Sequence, residues 1–315
     1  MKIVFMGTPN FSVPILKEIH EVYGVDLVVT QPDKTVGRKK IITCSPVKDM
    51  ALELGIEVFQ PIKIRDNYQR ILDVKPDIII TAAYGQIIPK ILLDSPKFKA
   101  INVHGSLLPK HRGGAPIQRA LMNGDEYTGI TIMYMGVKMD AGDIISQEKL
   151  KIEANDTKDS LFEKLSILGR KLLMNTLPLI FEEKVNSIKQ NKEEVTYSSN
   201  ILREEEKIDW NNNVEAIDRH VRAFYKEPGM FTTIDGKTIK VYKGEIHKCN
   251  NFIKNHINDD NGKIIKLFAE GIGVKVNNGV FIITEVQLVG KKRMAVKDFL
   301  NGAGRNLITV SKVFK

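Results

Sequence analysis

The chain has 315 residues, 43% hydrophobic and 27% charged, with two cysteines and a formal net charge of +9. That is the composition of a soluble globular protein long enough for two domains. Its longest apolar runs, such as Ile78-Ile79-Ile80, fall far short of a membrane span, and Cys44 and Cys249 lack metal-ligand spacing, so neither a disulfide scaffold nor a zinc site is expected.

The opening residues, Met1 to Gly7, read as a buried strand entering the turn Gly7-Thr8-Pro9-Asn10 rather than as a leader. A helix from about Phe11 to Val22 and a strand from Asp26 to Thr30 follow, the start of a doubly wound, mostly parallel α/β sheet. Gly7 has no further glycine at the dinucleotide-binding spacing, so a dehydrogenase is disfavoured. From Lys34 to Lys48 there are five basic residues (Lys34, Arg38, Lys39, Lys40 and Lys48) and no acid. Gly37 and the flanking prolines suggest a loop, either solvated surface or an arm for phosphate contacts. Ser45 or Pro46 then starts a helix running to about Leu54.

Pro76 to Thr81 reads as a central strand that runs into Ala82-Ala83-Tyr84-Gly85-Gln86-Ile87-Ile88-Pro89. A Tyr-Gly step at that point suits either ordinary packing or a slot for a flat ring. The next strand, Ala100 to His104, is apolar except at Asn102 and His104, and period-two alternation puts both polar side chains on one face. They lie about 7 Å apart along the strand, close enough to flank a one-carbon group. The strand ends at Gly105, and strand ends are where ligands bind in open α/β sheets. Pro116 to Asn123 reads as a helix stopped by Gly124. Two strands, Thr131 to Met135 and Asp143 to Gln147, flank a glycine-bordered turn that carries Asp140. Singly, Asn102 could cap a turn, His104 fill a polar pocket and Asp140 face solvent. An amide, an imidazole and a carboxylate around so much Gly and Pro point instead to a reaction centre.

Asp156 or Thr157 can cap a long helix through Leu173, with a helical continuation to about Val185. The polar stretch that follows lacks periodicity and reads as a linker, giving boundaries of 1–188, 189–207 and 208–315. From Lys207 onward 19 Lys and Arg stand against 11 Asp and Glu, whereas before it the balance is 28 against 27. A basic tail domain suggests an anionic partner, the alternative being solvated lysines. Within it, Val214 to Ala223 reads as a helix. Asp235-Gly236 and Asn277-Asn278-Gly279 mark two hairpins, which suits a small barrel of the oligonucleotide-binding type. A closing helix starts near Lys297.

Asn102-x-His104-x-Ser106-Leu107-Leu108-Pro109, Arg112-Gly113-x-Ala115-Pro116 and Asp140-x-Gly142-Asp143 together resemble the signature of folate-dependent formyltransferases, most closely those acting on methionyl-tRNA. Ile208-Asp209-Trp210, Arg222-Ala223-Phe224 and Lys291-Lys292-Arg293-Met294 are similar to the C-terminal domain of the same enzymes. One departure is visible: Lys226-Glu227 precede Pro228-Gly229 where the family usually has Pro-Trp.

The resemblance implies transfer of the formyl group of 10-formyltetrahydrofolate to the α-amine of initiator methionyl-tRNA, without a metal. Asn102 would donate to the developing oxyanion, and His104 would donate as well or take the amine's proton, with Asp140 orienting the imidazole and favouring its charged form. It also implies that Tyr84, Gly85 and Ile87 hold the pterin through backbone groups, with Ser106, Leu107, Leu108 and Pro109 on the other side. Lys34, Arg38, Lys39, Lys40, Lys291, Lys292 and Arg293 would meet tRNA. A cytoplasmic monomer with no membrane contact and no obligate protein partner is expected. The rivals are a formyltransferase for a nucleotide-linked amino sugar, a formyltetrahydrofolate hydrolase, and a non-enzymatic RNA-binding module. The basic 34–48 stretch and basic tail favour tRNA over the first two, and the intact Asn102, His104 and Asp140 speak against the third.

Overall fold

A computed structural model describes residues 1–36 and 41–315. In chain order its elements are β1 (Ile3–Gly7), α1 (Val13–Tyr23), β2 (Leu27–Val29), β3 (Lys34–Val36), β4 (Ile41–Thr43), α2 (Pro46–Glu53), β5 (Val58–Phe59), α3 (Gln69–Val74), β6 (Ile78–Ala82), α4 (Lys90–Asp94), β7 (Ala100–His104), α5 (Pro116–Asn123), β8 (Tyr127–Tyr134), β9 (Ile144–Lys151) and α6 (Lys158–Phe181). These are followed by α7 (Val214–Ala223), β10 (Met230–Ile234), β11 (Lys237–Ile246), α8 (Asn250–Asn255), β12 (Ile264–Phe268), β13 (Gly271–Val276), β14 (Gly279–Leu288), β15 (Met294–Ala295) and α9 (Val296–Asn301). The chain divides into two compact units. One comprises Met1–Ile117, Tyr127–Lys151 and Leu161–Asn200, and the other Gln118–Glu126, Ile152–Ser160 and Ile201–Lys315. No helix among the described residues is long and apolar enough to cross a membrane.

In the first unit seven strands run in the order β5-β2-β1-β6-β7-β8-β9. β5, β2, β1, β6 and β7 are parallel, and β8 and β9 add an antiparallel edge. The inner strands are apolar along both faces because both are covered. Every residue of β1 and β6 is buried, and Val4, Met6, Leu27, Val29 and Ile79 pack with Ile71, Leu92 and Tyr84 in one core. Strand order reverses between β1 and β6, so the carboxyl ends there mark the switch point of a doubly wound sheet.

Several elements start where local chemistry dictates. Ser45 caps α2 by accepting from the Lys48 N–H at 3.1 Å, with Pro46 in its first turn. α6 carries Pro178 inside it and ends at Phe181, because Glu183 takes a left-handed φ of 55°; the continuation expected to Val185 therefore stops short. The 34–48 stretch, expected to be a loop, instead places β3 and β4 as an antiparallel pair, with Thr35 opposite Ile42. β-branched residues on both arms favour extended backbone there, and the runs are too short to show a period.

The second unit is an antiparallel sheet in the order β10-β11-β14-β13-β12, with β15 beside β14. Asp235 and Gly236, with φ of 47° and 73°, form the mirror-image turn that tight hairpins need. Residues 311–315 close this sheet. Lys315 exchanges two backbone hydrogen bonds with Thr233 of β10, at 2.9 and 3.0 Å, and the Ile264 N–H of β12 donates to Lys312 at 2.8 Å. Phe314 lies beneath the closure, 2% exposed and stacked on Trp210 with ring centroids 5.8 Å apart. Trp210 in turn donates its indole N–H to Thr232 Oγ1 at 3.0 Å.

Phe314→Ala should destabilise the second unit by about 3–5 kcal/mol. Urea unfolding followed by the fluorescence of Trp210, the single tryptophan, would measure this.

Candidate active site

Asn102 and His104 lie on β7 as the alternation requires, and β6 fixes the first of them. Thr81, its register partner, donates its hydroxyl to Asn102 Oδ1 at 2.8 Å, which fixes the amide orientation and leaves the donating Nδ2 on the side away from Thr81. The His104 ring is 6% exposed. Its Nε2 lies 3.0 Å from the His111 carbonyl oxygen, which can only accept, so Nε2 carries the proton and Nδ1 is the basic nitrogen of the neutral ring. Nδ1 lies 3.8 Å from Asp140 Oδ2, at ion-pair but not hydrogen-bond distance. The same carboxylate oxygen accepts the Gly113 N–H at 2.9 Å.

The tripeptide His111-Arg112-Gly113 therefore touches both partners. His111 (φ 61°) and Asp140 (φ 48°) are non-glycine residues in left-handed backbone, a strain of order 1–3 kcal/mol each that surrounding contacts must sustain. For the tripeptide those contacts come from the stretch expected to be a linker. Thr196 Oγ1 accepts the His111 N–H at 2.9 Å, Ser198 Oγ lies 2.8 Å from His111 Nδ1, and Arg112 and Tyr197 form a parallel bridge. Gly113 can be nothing else: its φ is 120°, and a Cβ would fall 2.5 Å from the Ser198 carbonyl oxygen.

The residues expected around the pterin divide into inward and outward groups. Ser106 and Leu108 are buried; the Ser106 hydroxyl donates to the Lys110 carbonyl at 2.7 Å, and its carbonyl accepts from Thr131 Oγ1 at 2.7 Å. Leu107 and Pro109 are half-buried, Leu107 beside Gly129 of β8. Tyr84 turns its ring into the core, and its carbonyl is taken up by Thr8 Oγ1 at 3.0 Å and Gln31 Nε2 at 3.1 Å. Gly85 follows with a φ of 90°, and Ile87 is 74% exposed. Among the described residues no His, Cys, Asp and Glu cluster could hold a metal ion.

Of the basic residues, Arg38, Lys39 and Lys40 lie outside the described residues. Lys34 is exposed on β3, whereas Lys48 pairs with Asp33 at 2.6 Å. That contact and a hydrogen bond from Gln60 hold the Asp33 carboxyl below its usual range, the Gln60 bond contributing most. Lys291 and Lys292 are exposed. Arg293 is half-buried and committed to a bidentate pair with Glu285 at 2.7 and 2.8 Å, its guanidinium 4.2 Å from the Tyr242 ring centroid. This pair holds the Glu285 carboxyl low.

The formyl transferase family model matches residues 1–177, and the model of the formyl transferase C-terminal domain matches residues 200–304. Over 308 residues the chain is 49% identical to a methionyl-tRNA formyltransferase of Bacillus cereus (strain B4264), covering 96% of each chain. The chain belongs to the formyl transferase family.

Solved formyltransferases share its fold. An N-formyltransferase from Helicobacter canadensis, in complex with folinic acid and dTDP-3-aminofucose, superposes with a TM-score of 0.67 at 21% identity, over 93% of this chain and all of that one. A methionyl-tRNA formyltransferase from Clostridium thermocellum gives 0.56 at 17% identity, over 78% of this chain and 94% of that one. In this formyl transferase His104 and Asp140 lie within ion-pair distance and Asn102 shares β7 with His104, as expected, whereas the contacts from Thr81, His111, Gln190 and Ser198 were not anticipated. Only Thr81, a polar residue closing an apolar strand, carried a signal.

Burial pushes the Tyr84 phenol up to about 12, and its hydroxyl oxygen has no partner among the described residues. The unfolded chain ionises this group first, so its contribution to stability is full below a pH of about 10 and is lost as pH rises toward 12. Tyr84→Phe should remove that alkaline loss and raise stability by about 1 kcal/mol. Thermal unfolding of both proteins at neutral pH and above pH 10 would measure the difference.

Proposed function

We propose that the chain transfers the formyl group of 10-formyltetrahydrofolate to the α-amino group of initiator methionyl-tRNA. The observation that carries this reading is the Asn102, His104 and Asp140 arrangement, in a chain 49% identical along nearly its whole length to a protein named methionyl-tRNA formyltransferase. The basic balance from Lys207 onward favours a polyanionic acceptor over an amino sugar. Such an acceptor puts the reaction in the cytoplasm. We assign residues 1–188 to catalysis, 189–207 to the connection and 208–315 to tRNA docking, with Lys34, Arg38, Lys39, Lys40, Lys291 and Lys292 offering positive charge and Arg293 bracing the barrel through Glu285.

The donor set fits a neutral formamide met by an amine: one amide N–H, one basic imidazole nitrogen and one carboxylate. The folate supplies a formyl group already activated on an arylamine nitrogen. Gly85, Ile87, Leu107 and Pro109 offer surface for its ring, and buried Tyr84, Ser106 and Leu108 brace the two loops from behind. An α-amine with a pKa near ~8 is partly neutral at pH 7 and needs little activation. Asn102 Nδ2 donates to the charge that develops on the formyl oxygen. His104 Nδ1 accepts the proton the amine loses and returns it to the folate N10 as the bond from N10 to the formyl carbon breaks, and Asp140 offsets the intervening imidazolium charge 3.8 Å away. His111 keeps Nε2 protonated throughout, so the ring has one basic nitrogen and it faces the site.

Asn102→Ala should lower turnover by about 10²–10³. His104→Ala should lower it by about 10²–10⁴. Both should bind a non-transferring formyl-folate analogue as the wild type does by calorimetry; affinity falling in step with turnover would make them binding residues. The acceptor is decided by incubating the protein with 10-formyltetrahydrofolate and methionyl-tRNA, uncharged tRNA or a nucleotide-linked amino sugar, and asking which gains the formyl group. Affinity for tRNA should fall steeply with salt as counterions are released, and a flat response would count against the basic surfaces as the docking site.

A further inference from the structure

The Asp140 turn has few contacts of its own: the flanking residues 136 to 139 are largely exposed, including Val137 at 68% and Met139 at 58%. Yet its carboxylate must stay within ion-pair distance of His104 Nδ1. The Gly113 N–H holds one carboxylate oxygen, which fixes the side chain but leaves the backbone of the turn to be fixed by something else.

Gln190 does this. Its Nε2 donates to the Asp140 carbonyl at 2.9 Å and to the Gly142 carbonyl at 2.7 Å, one amide group spanning the turn. Its Oε1 accepts from Arg112 Nε at 3.0 Å and Nη2 at 2.7 Å. Arg112 is 9% exposed, so the fork is held out of water, where such bonds are strong and costly to break. Both amide atoms are saturated, and the only orientation compatible with a guanidinium on one side and two carbonyls on the other is the one observed.

From this geometry we infer that Gln190, with Arg112, is a positioning residue for the reaction: it clamps the Asp140 turn to the tripeptide that holds His104 and thereby sets the imidazole–carboxylate separation. The effect on turnover rests on the proposed formyl transfer; the clamp itself does not. Because His111, Arg112 and Gly113 are consecutive, three links meet in one stretch of backbone. His111 holds the imidazole, Gly113 holds the carboxylate, and Arg112 holds the residue that holds the turn. A loosened clamp therefore changes the relation of His104 to Asp140 while leaving Asn102 on β7 with Thr81.

The test uses the full chain with Gln190→Ala and Gln190→Glu. Gln190→Glu keeps an acceptor for Arg112 but has no N–H for the Asp140 and Gly142 carbonyls, so a role confined to holding Arg112 would leave it active. We expect both variants to lose about tenfold or more in kcat, with KM for folate and for methionyl-tRNA changed less than threefold, the pattern of a misplaced catalytic group. In an Asp140→Asn background, already without its carboxylate charge, Gln190→Ala should cost less than twofold, since effects passing through one residue are not additive. Full additivity, or an active Gln190→Glu, would overturn the proposal. The clamp is read separately by amide hydrogen exchange: residues 136–143 should exchange faster in Gln190→Ala while residues 100–104 do not change. Unchanged exchange at 136–143 sinks the clamp whatever acceptor the enzyme uses; a wild type inactive on methionyl-tRNA sinks the acceptor reading and leaves this measurement standing.

Discussion

The hydrogen bond from His104 Nε2 to the His111 carbonyl is the contact on which the rest of the site depends. It fixes the tautomer, so the lone pair of the neutral ring sits on Nδ1 and faces Asp140. It also ties the end of β7 to a loop whose next residues hold the carboxylate and its turn. Without that bond the ring could present either nitrogen in either protonation state, and the carboxylate, though still held by the Gly113 N–H, would face no defined imidazole atom. A single backbone oxygen thus decides which atom of the histidine can act as a base.

That oxygen is in place because the loop is held from the far side. Residues 196–198 run alongside 111–112 as a short extended segment, and Gly113 approaches Ser198 too closely for any side chain. Left-handed backbone at His111 and at Asp140 stores strain that a solvent-exposed loop would release. Here hydrogen bonds with Thr196, Ser198 and Gln190 over-determine both turns. In the proposed reaction, rigid support behind the reactive group would let one base and one amide donor act on a formamide without reorganising at each turnover.

The two units show different solutions to the problem of closing a sheet. The parallel strands of the first are buried on both faces and finished with the antiparallel edge of β8 and β9. In the second, residues 311–315 span β10 and β12 through backbone hydrogen bonds, so neither outer strand is left with a free edge along that stretch. Trp210 and Phe314 lie under the seam, which makes an extended segment without regular secondary structure part of the barrel's core. The basic residues of this unit are not equivalent either. Lys291 and Lys292 stand in solvent, whereas Arg293 is spent on Glu285 and the faces of Tyr225 and Tyr242.

Much of this was legible in the residues themselves. Buried parallel strands announce themselves as apolar runs, Pro116 and Gly124 bracket α5, and Asp235-Gly236 specifies its turn, because each of these depends only on neighbours in the chain. Alternation along Ala100–His104 put Asn102 and His104 on one face for the same reason, and the motif around them carried the family. What the sequence could not decide was which atoms those side chains present. The tautomer of His104, the rotation of the Asn102 amide and the reach of Asp140 depend on Thr81, His111, Gly113 and Gln190, which lie from 7 to 50 positions away from the residues they hold. Such bonds leave no period or spacing behind, since a hydroxyl or amide needs only one partner in space; tertiary structure alone brings that partner within 3 Å or so.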